Sequence, residues 1–215
     1  MKPLLARKPG RPVDPDLAAR RHEEILDAAA ELFAKHGYSE TDTQVLADKL
    51  GVGKGTLYRY FPSKRDLFLA AVDRVIRRLV ERIESRIAGI DDPLERIKQA
   101  VHSYLAFFAE NPEYVELLIL ERAQFRDRKK PTYFRHREAN VEKWRVMYRA
   151  LIGARRVRQM PVERITDVIS QLLYGTIFVN FFAGLRRPSD EQANDILDVV
   201  FNGILTAKER ERLGV

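Results

Sequence analysis

The stretch that decides the fold is residues 41–66, TDTQVLADKLGVGKGTLYRYFPSKRD. It divides into two short helical segments, at about residues 43–50 and 54–61, separated by a turn. Ala47 is a small residue midway along the first segment, and Gly51 follows four residues later, where a sharp turn needs a positive φ. This spacing predicts two closely crossing helices, the arrangement in which the second helix enters the major groove of DNA.

Apolar side chains are expected to close this unit from inside, namely Leu46, Leu50, Val52 and Leu57. The second segment carries hydrogen-bond donors on its other side: Lys54, Thr56, Tyr58, Arg59 and Tyr60. Gly55 is a poor helix former, and its place in the first turn favours a close approach of backbone to DNA. A solvated face on a frayed helix is the alternative interpretation.

Helical periodicity continues on both sides of this stretch. An apolar stripe over residues 25–33 predicts a preceding helix, which Gly37 should end in a left-handed conformation. Ser63 is the expected N-cap of a fourth helix that runs to about residue 88. Further helices are predicted at about residues 92–110, 112–126, 131–152, 161–185 and 189–212. No segment alternates as a strand would, so the predicted fold is all-α.

Residues 25–67 resemble the N-terminal domain of the TetR/AcrR family of regulators. The resemblance rests on IleLeuAspAlaAla at 25–29, LeuPhe at 32–33, GlyTyr at 37–38, Thr41, LeuAla at 46–47, GlyVal at 51–52, LysGlyThrLeuTyr at 54–58, TyrPhe at 60–61 and SerLys at 63–64. The family usually has an apolar residue where this chain has Thr43, a basic residue for Gln44 and serine for Gly53. These departures leave the operator sequence open.

The resemblance implies a particular domain organisation. A flexible basic arm (residues 1–16) would precede a three-helix helix-turn-helix domain (residues 17–65). A long helix would join that domain to a C-terminal helical domain (residues 66–215) for ligand binding and dimerisation.

The resemblance also implies roles for residues of the helix-turn-helix domain (residues 17–65), which we call the reading head. Asp42 or Thr43 would cap the first short helix, and Thr43 is the better phosphate contact because a carboxylate would be repelled. Gln44 would read a base. The remaining expected DNA contacts are Lys54, Gly55 and Thr56 in the groove, Tyr58, Tyr60 and Lys64 on phosphates, and Arg59 in either role.

The N-terminal arm contains ArgLysProGlyArgPro at residues 7–12, which resembles the core of an AT-hook. In that interpretation Arg11 lies in a narrow minor groove. The alternative is a basic tail that adds only salt-dependent affinity.

Aromatic residues of the C-terminal portion are candidates for a ligand pocket or for simple core. The predicted pocket residues are Tyr104, Phe107, Phe108, Trp144, Tyr148 and Phe178. The last two helices have more apolar surface than one helix face buries, which predicts a two-fold interface; a monomeric core is the alternative. The predicted interface residues are Ile169, Leu173, Ile177, Phe181, Leu197, Val200 and Ile204.

The net charge is +7, and its distribution is uneven. Residues 66–121 carry 7 Lys/Arg and 11 Asp/Glu, whereas residues 122–158 carry 13 and 3. The basic stretch at 122–158 indicates either an anionic ligand or acidic partner, or a solvated face.

Other classes of function lack support. The chain has no cysteine, its four histidines have no metal-ligand spacing, and no nucleophile, phosphate-loop or dinucleotide motif is present. No enzyme activity, metal or cofactor is therefore expected. The sequence contains no run of about 18 apolar residues, the length that a membrane span needs. A cytoplasmic location is expected. The expected partners are double-stranded DNA, a small-molecule effector and a second copy of the chain, with repression as the family's usual mode. A ligand-independent architectural DNA-binding protein is the alternative.

Overall fold

The computed structural model describes residues 15–203, and within that range every regular element is a helix. The helices are α1 (Pro15–Glu40), α2 (Thr43–Lys49), α3 (Lys54–Tyr60), α4 (Lys64–Ile87), α5 (Pro93–Glu110), α6 (Glu113–Gln124), α7 (Thr132–Gly153), α8 (Val162–Ala183) and α9 (Ser189–Asn202). The all-α prediction is confirmed. The last predicted helix extends to residue 212, so its final part lies outside the described residues. Residues 1–14 of the predicted arm also lie outside them, and its last two residues, Pro15 and Asp16, belong to α1.

Helix α1 buries the predicted apolar stripe, with Ile25, Ala29 and Phe33 fully enclosed. Gly37 has φ 75° and ψ 172°, a positive φ that glycine adopts at little cost. The ψ value differs from the left-handed helical conformation that the sequence predicted. The chain therefore kinks at Gly37 and continues through one more turn to Glu40.

Helices α2 and α3 form the predicted crossing pair. Ala47 and Leu46 have no exposed surface, and Leu57 of α3 is 1% exposed, so these three side chains lie at the centre of the crossing. Gly51 has φ 64°, and its turn is closed by the Val52 N–H, which donates to the Ala47 carbonyl at 2.9 Å. Leu50 and Val52 are partly buried at the edge. The spacing of Ala47 and Gly51 was thus a correct guide to the local structure.

Helix α4 connects this head to the rest of the chain. It begins at the predicted cap, where the Ser63 hydroxyl accepts the Asp66 N–H at 3.1 Å. Its 24 residues extend about 36 Å at 1.5 Å per residue. One face is buried along most of this length: Leu67, Phe68, Ala71, Val72, Val75, Ile76 and Leu79. That face packs against α1 and α6 near its start and against α5 and α7 further along.

A single hydrophobic core crosses the boundary between the reading head and the rest of the described chain (residues 66–203), which we call the body. It includes Phe33 of α1, Phe68 of α4, Tyr104 of α5 and Leu117 of α6. A smaller cluster around Ile97, Tyr148, Leu151 and Val162 joins the far ends of α5, α7 and α8. The head is therefore packed directly on the body as well as linked to it by the chain.

Most cations of the basic stretch lie beside carboxylates in the fold. Cations of the basic stretch reach carboxylates of the acidic one: Lys143 Nζ lies 2.6 Å from Glu84, Arg135 lies 3.3 Å from Asp73, and Arg156 pairs with Asp92. Eight of the 13 cations of residues 122–158 therefore lie beside carboxylates, so the two interpretations concern mainly the remaining five. Among residues 15–203, five cations of the stretch have no carboxylate partner: Arg122, Arg126, Lys129, Arg155 and Arg158.

The turn of the reading head gives a direct test of backbone strain. We expect Gly51→Ala to lower the free energy of unfolding by about 1 kcal/mol, since alanine resists a positive φ. Nothing lies within 4 Å of an added Cβ at this position, so steric overlap does not contribute. Gly51→Asn is the matched control, because asparagine tolerates this conformation. Equal stabilities of the two variants in urea denaturation would contradict this explanation.

Candidate functional site

The exposed surface of the head is formed by the start of α3 and the residues around it. Gly53 is the N-cap of α3 and offers no side-chain hydrogen bond. Gly55, in the first turn, is exposed, and an added Cβ there meets nothing within 4 Å. No packing within the described protein therefore requires glycine at position 55. Lys54 and Thr56 beside it are half-buried, whereas Tyr58 and Arg59 are exposed.

Thr43 and Tyr58 join α2 and α3 through their hydroxyl groups, whose oxygens are 3.0 Å apart. Thr43 is only 3% exposed, whereas Tyr58 is 37% exposed. The family resemblance implies a direct phosphate contact for Thr43. This geometry instead favours a positioning role, because the buried Thr43 hydroxyl orients the exposed Tyr58.

Asp42 is the N-cap of α2, which decides between the two cap candidates. Its carboxylate accepts the Gln44 N–H at 2.8 Å, and Lys54 Nζ lies 3.4 Å away. The backbone hydrogen bond is the main reason why the pKa of Asp42 is lowered. Gln44, the predicted base-reading residue, donates through its side-chain amide to Asp48 at 2.8 Å. Both pairs lie on the surface of the head.

The remaining predicted contacts surround the end of α3 and the start of α4. The Arg59 guanidinium lies 5.6 Å from the centre of the Tyr60 ring. Lys64 donates from Nζ to the Ser39 carbonyl at 2.9 Å and lies 5.0 Å above the Tyr38 ring. Lys64 thus occupies the predicted helix start, with its ammonium group held against the end of α1. Arg11 lies outside the described residues.

A cavity of about 170 Å³ opens between α4, α5, α7 and α8. Three of the six predicted pocket residues line it: Tyr104, Trp144 and Tyr148. Phe107, Phe108 and Phe178 do not line this cavity. The first two continue the inner face of α5 beyond the cavity into closed core, where Phe107 packs 5.8 Å from the Tyr114 ring. Phe178 packs against Tyr174 of α8, with ring centres 4.6 Å apart.

The cavity has an apolar side and a polar side. Ile76, Leu79 and Ile83 of α4 belong to the first, and His136, Arg137 and Asn140 of α7 to the second. His136 Nε2 lies 2.8 Å from an Asp73 carboxylate oxygen, and this hydrogen bond is the largest cause of the lowered pKa of Asp73. Arg137 pairs with Asp167 of α8. The sequence gives no signal for these polar residues because they lie within a helix that is charged on most sides.

The cavity is lined by two buried tyrosines, Tyr104 and Tyr133, whose hydroxyl oxygens are 2.9 Å apart. Burial raises the pKa of both phenols, that of Tyr133 to about 12, so both are neutral hydrogen-bonding groups at physiological pH. Next to Tyr133, the 1% exposed Glu121 of α6 accepts the Thr132 N–H at 2.9 Å and also binds Arg128. These contacts tie the cavity wall to α6, which packs on α1.

A continuous apolar face runs along α8 on the outside of the body. Val168, Leu172, Val179 and Phe182 are 47%, 39%, 57% and 70% exposed, at spacings that place them on one side of the helix. Val199 and Phe201 of α9 are exposed apolar residues too. By length and composition alone α8 could also cross a membrane, and because only 17% of its most apolar window is buried, packing within the described chain does not account for its apolar surface.

This outer face differs from the predicted interface. Ile169 and Leu173 line the cavity, Ile177 and Leu197 are buried, and Phe181 packs against the core. Val200 is partly exposed, and Ile204 lies outside the described residues. The physical reason is that α8 is apolar on all sides, so its sequence does not distinguish the inward face from the outward one.

No group of His, Cys, Asp and Glu side chains within residues 15–203 is arranged to hold a metal ion.

A crossing helix pair with an exposed second helix, carried on an all-helical body, defines the class of helix-turn-helix DNA-binding proteins.

Comparisons with known proteins identify the family. The profile described as "Bacterial regulatory proteins, tetR family" matches residues 25–71. The nucleoid occlusion factor SlmA of Vibrio campbellii is 32% identical over 152 residues, which are 66% of this chain and 74% of that protein. The chain spans 59% of the SlmA proteins of two Vibrio vulnificus strains, which it also matches. The chain belongs to the TetR family of transcriptional regulators.

Solved structures agree in fold. The fatty acid degradation regulator FadR of Bacillus halodurans has a TM-score of 0.73 at 18% identity, covering 86% of this chain and all of that one. FadR of Bacillus subtilis, in complex with stearoyl-CoA, has a TM-score of 0.70 at 19% identity, covering 85% of this chain and 98% of that one. At these identities the similarity concerns the fold alone.

The head surface yields a prediction that separates phosphate contacts from base contacts. We expect Tyr58→Phe to weaken binding about tenfold on both selected and random duplexes, because it removes a hydrogen bond to charged phosphate. We expect Lys54→Ala to change the ranking among sequences, because a side chain in the groove contacts base edges. Both variants would be measured by fluorescence anisotropy. Losses of equal size on both duplexes for both variants would contradict the division of roles.

Proposed function

We propose that this protein is a ligand-responsive, homodimeric transcription regulator of the cytoplasm, and that it represses its target genes until an effector binds. The observation that carries the proposal is the cavity with one apolar and one polar side, built into the same helix, α4, that begins in the reading head. In this proposal, residues 17–65 bind DNA and residues 66–215 bind the effector and the second copy. The protein acts by binding, without a cofactor.

DNA binding would use the exposed surface around α3. The first turn of α3, with Lys54, Gly55 and Thr56, would enter the major groove, with Gln44 and Arg59 beside it. The open space around Gly55 supports this placement. No neighbouring group of the protein requires a residue without a side chain at this position, whereas DNA could approach the backbone closely there. Tyr58, Tyr60 and Lys64 would contact phosphates on either side. Lys64 would first have to release the Ser39 carbonyl, a small cost for an exposed hydrogen bond.

Dimerisation would cover the outer face of α8. Exposed apolar side chains of this size and number are unusual on a monomer, and they mark an interface. A two-fold arrangement would pair α8 and α9 with their copies and place the two heads on one side of the DNA. The interface residues proposed from the structure are Val168, Leu172, Val179, Phe182 and Val199.

The effector would be a compact molecule with one apolar and one polar end. A cavity of about 150 Å³ accommodates a benzene ring, so the 170 Å³ available here fits a ring or a short chain. The polar end would lie against Arg137, His136 and Asn140. A long acyl chain such as that of the stearoyl-CoA bound by Bacillus subtilis FadR would require the cavity to open further.

The response would pass along α4. Ile76, Leu79, Val80 and Ile83 of this helix line the cavity, and Lys64 at its start lies in the head. An effector that binds better to one position of α4 would shift the population towards that position. In a dimer this shift changes the distance between the two heads, and thus their fit to the operator.

The second candidate is a DNA-binding protein that needs no effector, which the identity with a nucleoid occlusion factor favours. Selection of bound sequences from random DNA, followed by affinity measurements with and without candidate compounds, separates the two. Suitable compounds are aromatic carboxylates, short-chain and medium-chain fatty acids, and stearoyl-CoA. A compound that lowers operator affinity supports the first proposal, and affinity unchanged by all of them supports the second.

The dimer proposal predicts that Val179→Asp produces monomers. A carboxylate buried in an apolar interface costs several kcal/mol, once in each subunit. Val146 on α7 is 56% exposed, almost the same as the 57% of Val179, so Val146→Asp is a matched control. Sedimentation equilibrium should give a monomer for the first variant and a dimer for the second. A dimer in both cases would mean that the α8 face is not the interface.

The effector proposal predicts a fluorescence signal, because Trp144 is the chain's one tryptophan and lines the cavity. Effector binding should change Trp144 emission with the same concentration dependence as the loss of DNA binding. Ala100→Phe fills the cavity and should abolish both effects while leaving DNA affinity unchanged. Ala150→Phe, on the exposed side of α7, is the control and should respond normally. A normal response in Ala100→Phe would place the effector elsewhere.

A further inference from the structure

The loop between α6 and α7 (residues 125–131) presents two cations that the rest of the described protein does not use. Arg126 and Lys129 are exposed and have no carboxylate partner within residues 15–203. The charged residues between and beside them are all engaged: Asp127 by Arg65, Arg128 by Glu121 and Lys130 by Glu138. The loop therefore has a net positive surface formed by these two side chains.

This loop is attached to the reading head. Arg65, the second residue of α4, pairs with Asp127 and lies 4.9 Å above the Phe125 ring. Phe125 in turn packs edge-on against Tyr38 at the end of α1, with ring centres 5.0 Å apart. The ammonium group of Lys64, a proposed phosphate contact, lies 5.0 Å from the centre of the same Tyr38 ring. The loop thus lies at the DNA-proximal end of α4, beside the proposed contact surface.

We propose that the α6–α7 loop is a second DNA contact, in which Arg126 and Lys129 bind backbone phosphates that flank the segment under α3. The charge of the loop complements the polyanion, and the loop is continuous with the head surface through Lys64, Arg65 and Phe125. The contact is to phosphate, so it adds affinity without sequence preference. The inference rests on DNA binding by the head and is independent of the proposed effector response.

A matched control exists at the opposite end of the body. Arg155 and Arg158, in the loop between α7 and α8, are also exposed cations without a carboxylate partner in the described chain. Their neighbour Arg156 pairs with Asp92, which follows the C-terminal end of α4. Because α4 is about 36 Å long, this loop is far from the head. Both pairs change the total charge by the same amount when neutralised.

The experiment measures how DNA affinity depends on salt. Arg126→Gln/Lys129→Gln and Arg155→Gln/Arg158→Gln are compared with the wild-type protein on a selected duplex, by anisotropy over a series of KCl concentrations. Each phosphate contact contributes a slope of about −0.9 in a plot of log K against log salt. We expect the first variant to lose about 1.8 of slope per protomer and to bind about tenfold more weakly or worse at 0.1 M salt. The control should keep the wild-type slope.

Duplex length gives an independent readout. The duplex is shortened stepwise from both ends, and the slope of log K against log salt is measured at each length. When the flanking phosphates are removed, the slope of the wild-type protein should fall, whereas the slope of the loop variant should stay the same. The inference is overturned if the loop variant keeps the wild-type slope, if the control variant loses as much, or if trimming affects wild type and loop variant alike. Failure of the wild-type protein to bind any duplex would instead contradict the proposed function.

Discussion

The structure depends on the burial of one continuous apolar face of α4. Leu67, Phe68 and Val72 pack towards α1 and α6, and Val75, Ile76 and Leu79 continue into the body, so a single hydrophobic core extends across both parts. Burial of such side chains contributes about 1.5–3 kcal/mol each relative to exposure. The head is therefore held firmly at one end of the helix, and the cavity is formed along the other. In the proposed response, a displacement of α4 at the cavity would reach the head through this continuous core.

A second connection between cavity and head is polar. Glu121 of α6 is a buried carboxylate, satisfied by the Thr132 backbone and hydroxyl and by Arg128. A buried charge of this kind is tolerated only with its full set of partners, so the start of α7 is held in one position relative to α6. Tyr133, the next residue, lines the cavity and is hydrogen-bonded to Tyr104. Since α6 packs on α1, the cavity wall is linked to the head through α6 as well as through α4.

The distribution of charge in space differs from its distribution along the sequence. The acidic stretch at residues 66–121 and the basic stretch at residues 122–158 meet in space, as in the pairs Lys143–Glu84 and Arg135–Asp73. These exposed pairs each contribute little to stability, but they place most cations of the basic stretch beside a carboxylate. The cations that stay unpaired at the α6–α7 loop are therefore more informative about partners than the net charge of the segment.

The sequence by itself determined the head and the helical class. Ala47, Gly51 and Leu57 lie within eleven residues of one another, so their spacing alone defines the crossing and the turn, and the helical period identified each later helix. Tertiary structure decided which faces are used. Tyr104 and Phe107 lie on one side of α5, yet only Tyr104 reaches the cavity, because the position of a void depends on how neighbouring helices fail to fill space. Likewise α8 is apolar all round, and only its packing against α5 and α7 directs Ile169 inward and leaves Val168 and Phe182 exposed.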